Sequence, residues 1–318
     1  MKIDRRTLMA ALGVAAIAPA ARAQQRPLLM MLGYPAGGAL DVAARQLAEA
    51  LRGLGYSTIV ENKPGAAGRI AMDALKRARP DGETVAMSPA GPFTMYPHFF
   101  KNLRYDPQRD FTAIAPVCSF SFGLAVAVGH PAKTLPEFIA WAKANPASYA
   151  TPGLGTTMHF IGAILARSAG IALTHVPYRG GASLLPDVAE GRVSSGISVT
   201  TNLVQQQASG RLRLLAITGP ARLPQVPDVP TFAELGFADL FITEWFGIFG
   251  PAGMEPAPVE RMNADIARAV ATPEVKAAFD RAGFTPETST PQAFAQRIKV
   301  ETERWGPVIK ATGYTVDE

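Results

Sequence analysis

Three times in this sequence a short glycine-rich loop separates an apolar, strand-like run from a stretch with helical spacing. The loops are Tyr34-Pro35-Ala36-Gly37-Gly38 before 39–52, Gly153-Leu154-Gly155-Thr156-Thr157 before 158–168, and Tyr178-Arg179-Gly180-Gly181 before 182–189. Repeated strand-to-helix passages commit a chain to an α/β architecture, because parallel strands need a covering crossover between them. Each loop also offers amide N–H groups at the positive end of a helix dipole, which suits a bound anion. No nucleophile motif, metal-ligand spacing or acid–base pair accompanies them in the sequence. The pattern points to capture of a small anion rather than its conversion.

The first 23 residues stand apart from the fold. Lys2, Arg5 and Arg6 form a basic start, 8–20 are almost wholly apolar or small, and Ala21-Arg22-Ala23 has the small-x-small form of a cleavage site. The apolar run is too short to cross a bilayer, so an export signal is expected, by the general or the twin-arginine route. Without it the formal charge falls from +5 to +2, since Lys2, Arg5, Arg6 and Arg22 leave with Asp4. No basic block follows, which speaks against a nucleic-acid partner. The single cysteine, Cys118, lies in an apolar stretch and is expected to be a buried structural thiol. At 318 residues the chain is long enough for two medium domains.

Strands are expected at 28–33, 58–60 and 83–88, with helices at 39–52 and around 69–78, which makes a βαβαβ start. On the first helix Asp41 and Arg45 are four apart and able to pair. An apolar β segment spans 113–128, and the alternation then restarts with strands near 148–151, 173–176, 193–199 and 212–218. A last strand at 245–249 precedes helices at 258–270, 273–281 and from 291 to about 311. One lobe thus runs over 24–123 and a second over 124–245, and the pattern of the tail is compatible with either. Two lobes with their loops facing one cleft would make a closing trap.

Among side chains, Gly37 and Gly38 would bring backbone close to a carboxylate, and Thr156 or Thr157 would cap a helix or present a hydroxyl. His159, in the first turn of that helix, is expected to be neutral. Arg179 is a permanent charge able to hold a carboxylate with two parallel donors, or else to pair with Asp187 and Glu190 on the surface. Ser88 ends a strand as many α/β site residues do. Phe93, Tyr96, Phe99, Phe100 and the pair Trp245-Phe246 are read as packing. The histidines His98, His130, His159 and His175 have no zinc-site spacing, and no cofactor or metal is implied.

Longer stretches then carry a resemblance. They are Tyr34-Pro-Ala-Gly-Gly-Ala-Leu-Asp-Val-Ala-Ala-Arg45, Val60-Glu-Asn-Lys-Pro-Gly-Ala-Ala-Gly68, Tyr105-Asp-Pro-Gln-Arg-Asp-Phe111, Lys133-Thr-Leu-Pro-Glu-Phe138, His175-Val-Pro-Tyr-Arg-Gly-Gly-Ala182 and Leu223-Pro-Gln-Val-Pro-Asp-Val-Pro-Thr231. In order and spacing the chain resembles the extracytoplasmic solute-binding receptors of tripartite tricarboxylate transporters, the Bug family. The resemblance implies a monomeric, periplasmic, two-lobed binding protein of type II-like fold, each lobe a mainly parallel sheet flanked by helices, with 246–318 completing the first lobe. It implies a small organic carboxylate as ligand and the membrane subunits of such a transporter as partners. It places a carboxylate clamp at 35–38 and 153–157, with Tyr34, Asp41, Ser88 and His159 nearby and 179–182 bordering the cleft. Departures at Ser194, Ala163 and the apolar run from Ser88 to Phe93 favour a ligand with an apolar body. An enzyme acting on an organic acid, or a ligand-binding partner of a membrane sensor, are the alternatives on the same scaffold.

Overall fold

The structure of the protein is a computed structural model that describes residues 26–316. The expected export segment lies outside the described residues. The chain opens with β1 (Arg26–Leu32), α1 (Ala39–Arg52), β2 (Tyr56–Asn62), α2 (Arg69–Lys76), β3 (Thr84–Pro89), the short α3 (Gly91–Thr94) and β4 (Phe111–Phe120). It then builds β5 (Phe122–Ala127), α4 (Leu135–Ala144), β6 (Ser148–Thr151), α5 (Thr157–Ala169), β7 (Thr174–Pro177), α6 (Gly181–Ala189), β8 (Ser195–Val199), α7 (Thr200–Ala208) and β9 (Leu212–Ile217). Last come β10 (Glu244–Pro251), α8 (Pro256–Val270), α9 (Pro273–Ala282), β11 (Thr285–Pro286) and α10 (Pro291–Thr312).

Two mixed sheets result, ordered β11-β4-β10-β3-β1-β2 and β7-β6-β8-β5-β9. In the first, β1 pairs in parallel with β2 and β3, while β10 runs antiparallel to both β3 and β4. In the second, β6 pairs in parallel with β7 and β8, while β5 runs antiparallel to β8 and β9. The apolar segment expected over 113–128 is therefore two strands in different sheets. Ser121 separates them, and Thr200 Oγ1 donates to its carbonyl at 3.1 Å. The return crossing runs from Thr218, whose hydroxyl accepts the Phe122 amide at 2.9 Å, to the start of β10.

Alternation along a strand buried on both faces divides the core of the first sheet. Leu28, Met30 and Leu32 of β1 enter one buried cluster with Phe246 and Ile248 of β10. Met31 enters the other, with Trp245 and Phe249. Phe294 of α10 sits in that second cluster, its ring 4.8 Å from that of Trp245 and 5.4 Å from that of Phe249. Gly247 makes this seat possible, because a Cβ there would lie 2.4 Å from Phe294 Cζ. Cys118 is fully buried near the end of β4, and burial pushes its thiol well above the ordinary value.

The turn after β1 depends on a second close approach. A Cβ on Gly33 would lie 2.6 Å from the Gly68 Cα, so two backbones touch there and no flexible side chain can yield. Gly33→Ala is expected to destabilise the protein by about 2 kcal/mol through overpacking. Gly129→Ala, where an added Cβ meets nothing within 4 Å, should be close to neutral. Thermal melts of the two variants would show the contrast, and equal melting temperatures would remove the constraint.

Candidate functional site

A cavity of about 350 Å³ opens between the sheets. Its walls come from chain that follows the carboxyl ends of β1, β3, β6, β7 and β8, which is where open α/β sheets present ligands. The first lobe contributes Tyr34, Pro35, Ala36 and Gly38, with Ala39 and Leu40 from the start of α1. It also contributes Pro89, Gly91, Pro92 and Tyr96. The second lobe supplies Thr156, Thr157, Met158, Arg179, Gly180 and Gly181, with Ser198 and Asn202 behind them. Phe120, Phe122, Glu244 and Phe246, at the two crossings, form the base. Pro35 and Gly180 meet across the cleft, where a Cβ on Gly180 would stand 3.2 Å from the Pro35 Cδ.

Of the residues expected at the ligand, Tyr34, Pro35, Ala36, Gly38, Thr156, Thr157, Arg179, Gly180 and Gly181 line this cavity. Gly37, Asp41, Ser88, Gly155 and His159 are not among its lining residues, and each has a local task. The Asp41 carboxylate accepts from the Gly37 amide at 3.1 Å, from Arg45 Nε at 2.9 Å and from Asn62 Nδ2 at 3.1 Å. Burial alone would raise this carboxyl, but those hydrogen bonds outweigh it and hold it below the usual range. The Gly37 N–H, expected to face a ligand anion, is thus committed to Asp41. Gly37 keeps its value as a turn residue, with φ at +82°. Ser88 is buried and donates to the Pro89 carbonyl at 3.1 Å.

The loop before α5 caps itself. Thr156 Oγ1 accepts the His159 amide at 3.4 Å and donates to the Gly153 carbonyl at 2.9 Å. The Gly155 amide donates to His159 Nδ1 at 3.3 Å, and the His159 ring stacks on His175 with centroids 4.1 Å apart. Burial brings His159 down to about 4. Burial and the neighbouring His159 bring His175 to about 3. Both rings are neutral at neutral pH, His159 because it is buried rather than because of the helix field. By contrast, α1 and α6 begin at Gly38 and Gly180 with no side-chain cap, and both starts border the cavity.

Arg179 is exposed and forms no ion pair or hydrogen bond among the described residues. Its expected surface partners are occupied, since Arg192 binds Asp187 at 2.6 Å and also binds Glu190. On the opposite wall, the hydroxyls of Tyr34 and Tyr96 both donate to the Ala67 carbonyl, at 3.3 and 2.6 Å. Ala66 and Ala67 are held at φ +47° and +52°, a left-handed conformation unfavourable for a residue with a Cβ. No group of side chains among the described residues is arranged to hold a metal ion.

Other lining residues were not legible in advance: Tyr96 and Phe246, read as packing, wall the cavity, and Glu244 was not singled out. Glu244, the first residue of β10 and 5% exposed, lines the base of the cavity. Its Oε1 accepts the Gly91 amide at a long 3.4 Å, and the Thr157 hydroxyl stands beside it. Burial pushes its carboxyl up to about 7, against those hydrogen bonds and with a further rise from Glu301. The signal was a lone acid inside the apolar run Leu240-Phe241-Ile242-Thr243-Glu244-Trp245-Phe246.

Two α/β lobes, two chain crossings and one cavity between them define a two-lobed solute-binding protein. A family model described as the tripartite tricarboxylate transporter family receptor matches residues 43–314. The UPF0065 protein in the tcbD-tcbE intergenic region of Pseudomonas sp. (strain P51) is 33% identical over 317 residues, covering 96% of this chain and 94% of that protein. The solved periplasmic binding protein BugD superimposes with a TM-score of 0.87 at 30% identity, over 92% of this chain and 99% of that one. An R. palustris protein solved with adipate gives 0.87 at 27% identity, over 91% and 98%. The chain belongs to the tripartite tricarboxylate transporter receptor family, and it is a periplasmic solute-binding protein of the two-lobed type.

Two consequences of this geometry are measurable. The Glu244 carboxyl holds its proton more tightly in the folded protein than in the unfolded chain. Its stabilising contribution is therefore complete below about 4.5 and is lost as pH rises through about 7. Glu244→Gln should raise the melting temperature at pH 8, by an energy on the order of 3 kcal/mol, and the gain should vanish toward pH 4.5. A constant difference across that range would contradict the burial argument. Asp41→Ala should speed amide exchange at Gly37 about tenfold or more by freeing the loop before α1. Unchanged protection of that amide would show the loop to be held otherwise.

Proposed function

We propose that the receptor captures a small organic carboxylate, possessing an apolar or aromatic body, and delivers it to the membrane subunits of a tripartite tricarboxylate-type transporter. The observation that carries this is the uncompensated positive character of one rim of an otherwise apolar cavity. Arg179 has no partner among the described residues, and the starts of α1 and α6, which carry no side-chain cap, border the same space. A carboxylate accepts from amides and guanidinium together, and the surrounding low dielectric strengthens each bond.

The apolar walls supply the second half of the reading. Leu40, Met158, Val199, Phe120, Phe122 and Phe246 line the space, so most of a ligand's surface would meet carbon. Burial of such a body adds affinity in proportion to its apolar area, at about 25 cal/mol per Å². The adipate-bound relative is in keeping with a carboxylate on an aliphatic chain.

Native mass spectrometry of gently purified protein should reveal a retained small acid, and a thermal-shift panel should respond to carboxylates bearing an apolar chain or ring. Arg179→Ala should weaken binding of the best of these about tenfold, measured by calorimetry, with little effect on the melting temperature of the free protein. Stabilisation by a neutral sugar, with no response to any carboxylate, would overturn the reading.

A further inference from the structure

The cavity carries two charged lining residues, Arg179 and Glu244, and they do not pair with each other. Arg179 borders the glycine loop of the second lobe, while Glu244 lies at the base, at the start of the strand that returns to the first. A site with one cation and one anion in apolar walls, neither with a counter-ion among the described residues, is complementary to a ligand that carries both charges. We infer that Glu244 is a specificity-determining residue that receives a cationic amino group of the ligand, so that the cleft takes an amino carboxylate in preference to a plain monocarboxylate or a dicarboxylate. This rests on the carboxylate reading above for the ligand's other end.

The donors around Glu244 are all neutral, so its charge has no counter-ion among the described residues. Its donors are the backbone amides of Gly91, at a long 3.4 Å, and Ala90, with the Thr157 hydroxyl, whose one proton is shared with Met95 Sδ 3.3 Å away from the threonine oxygen. The phenol hydroxyls of Tyr34 and Tyr96 are close enough to feel its charge, yet both donate to the Ala67 carbonyl instead. Glu301, behind it on α10, is itself acidic and is held by Arg297 at 2.7 Å and by Trp245 Nε1 at 2.9 Å. No lysine, arginine or histidine forms an ion pair with Glu244 among the described residues. The rings of Phe120, Phe246 and Tyr96 share the cavity, and aromatic faces tolerate an ammonium where water is excluded.

A purely structural acid has little reason to occupy this position. Burial of an ionised carboxylate without a cation is costly, and a glutamine would keep the contact with Gly91 without that cost. A ligand ammonium would supply the missing charge and two or three further donors. It would also favour the ionised form of Glu244. Because the free carboxyl titrates near neutrality, about half a proton should leave on binding at pH 7.

The test is calorimetry at pH 8 on the full protein freed of retained ligand, with wild type and Glu244→Gln. The probes are straight-chain monocarboxylates, dicarboxylates, α- and ω-amino carboxylates and primary amines of three to eight carbons. The wild type should bind its best amino carboxylate at least about tenfold more tightly than the matching mono- or dicarboxylate. Glu244→Gln should reduce that ratio to about twofold or less. Titration at pH 7 in buffers of different ionisation enthalpy should show proton release with the wild type and none with the variant. Preference for the dicarboxylate would mean that Glu244 acts as a protonated donor, and it would overturn the inference. So would an amino-group preference that survives in the variant, or no binding of any amino carboxylate or amine. If amines bind in a Glu244-dependent way while plain carboxylates do not, the inference stands and the carboxylate reading falls. If carboxylates bind and the amino group adds nothing, the reverse holds.

Discussion

β3 and β4 do not pair with each other in the first sheet. Each pairs with β10, so the sheet is held in one piece by a strand that arrives only after the chain has built the whole second lobe. That non-local pairing explains the position of everything else. It brings the two crossings together at Phe120, Ser121, Phe122 and Glu244, and it gives the cavity a base made of strand rather than loop. It also ties the three C-terminal helices to the first lobe, with Phe294 seated between Trp245 and Phe249. A cleft closed at its base by two crossings can open only at its rim, where Pro35 faces Gly180.

The electrostatics of the cleft follow from the same layout. Helix starts α1 and α6 come from opposite lobes and border one space, so an anion bound there touches both and favours their approach. Several amides of the loops are satisfied by neighbouring side chains. Asp41 occupies the Gly37 amide, Thr156 occupies that of His159, and His159 occupies that of Gly155. Among the described residues, the two charged side chains of the cavity, Arg179 and Glu244, are left without a counter-ion.

Much of the architecture was legible because strand and helix periods are local signals. The run from Leu28 to Leu32 marks a buried strand, and Asp41 and Arg45 pair at 2.9 Å as their spacing implies. The break at Ser121 was not legible, since the residues on either side are apolar and β-prone and only their partners in two sheets distinguish them. The glycine loops were visible as loops, but the fate of their amides depended on side chains four residues onward in the helices. Glu244 was hidden for a different reason. Its burial arises from pairing opposite Phe120 and from Thr157 in the other lobe, contacts that no sequence window spans.

The two tyrosine hydroxyls on the Ala67 carbonyl have a consequence for affinity. Tyr34 and Tyr96 are cavity walls, and a shared acceptor fixes the rotation of both rings before any ligand enters. A bound molecule therefore meets two rings already fixed in orientation, which removes an entropic penalty that mobile rings would impose on association. The acceptor that fixes them belongs to Ala67, itself held with Ala66 in the left-handed region, so a backbone conformation unfavourable to most residues orients two walls of the cavity.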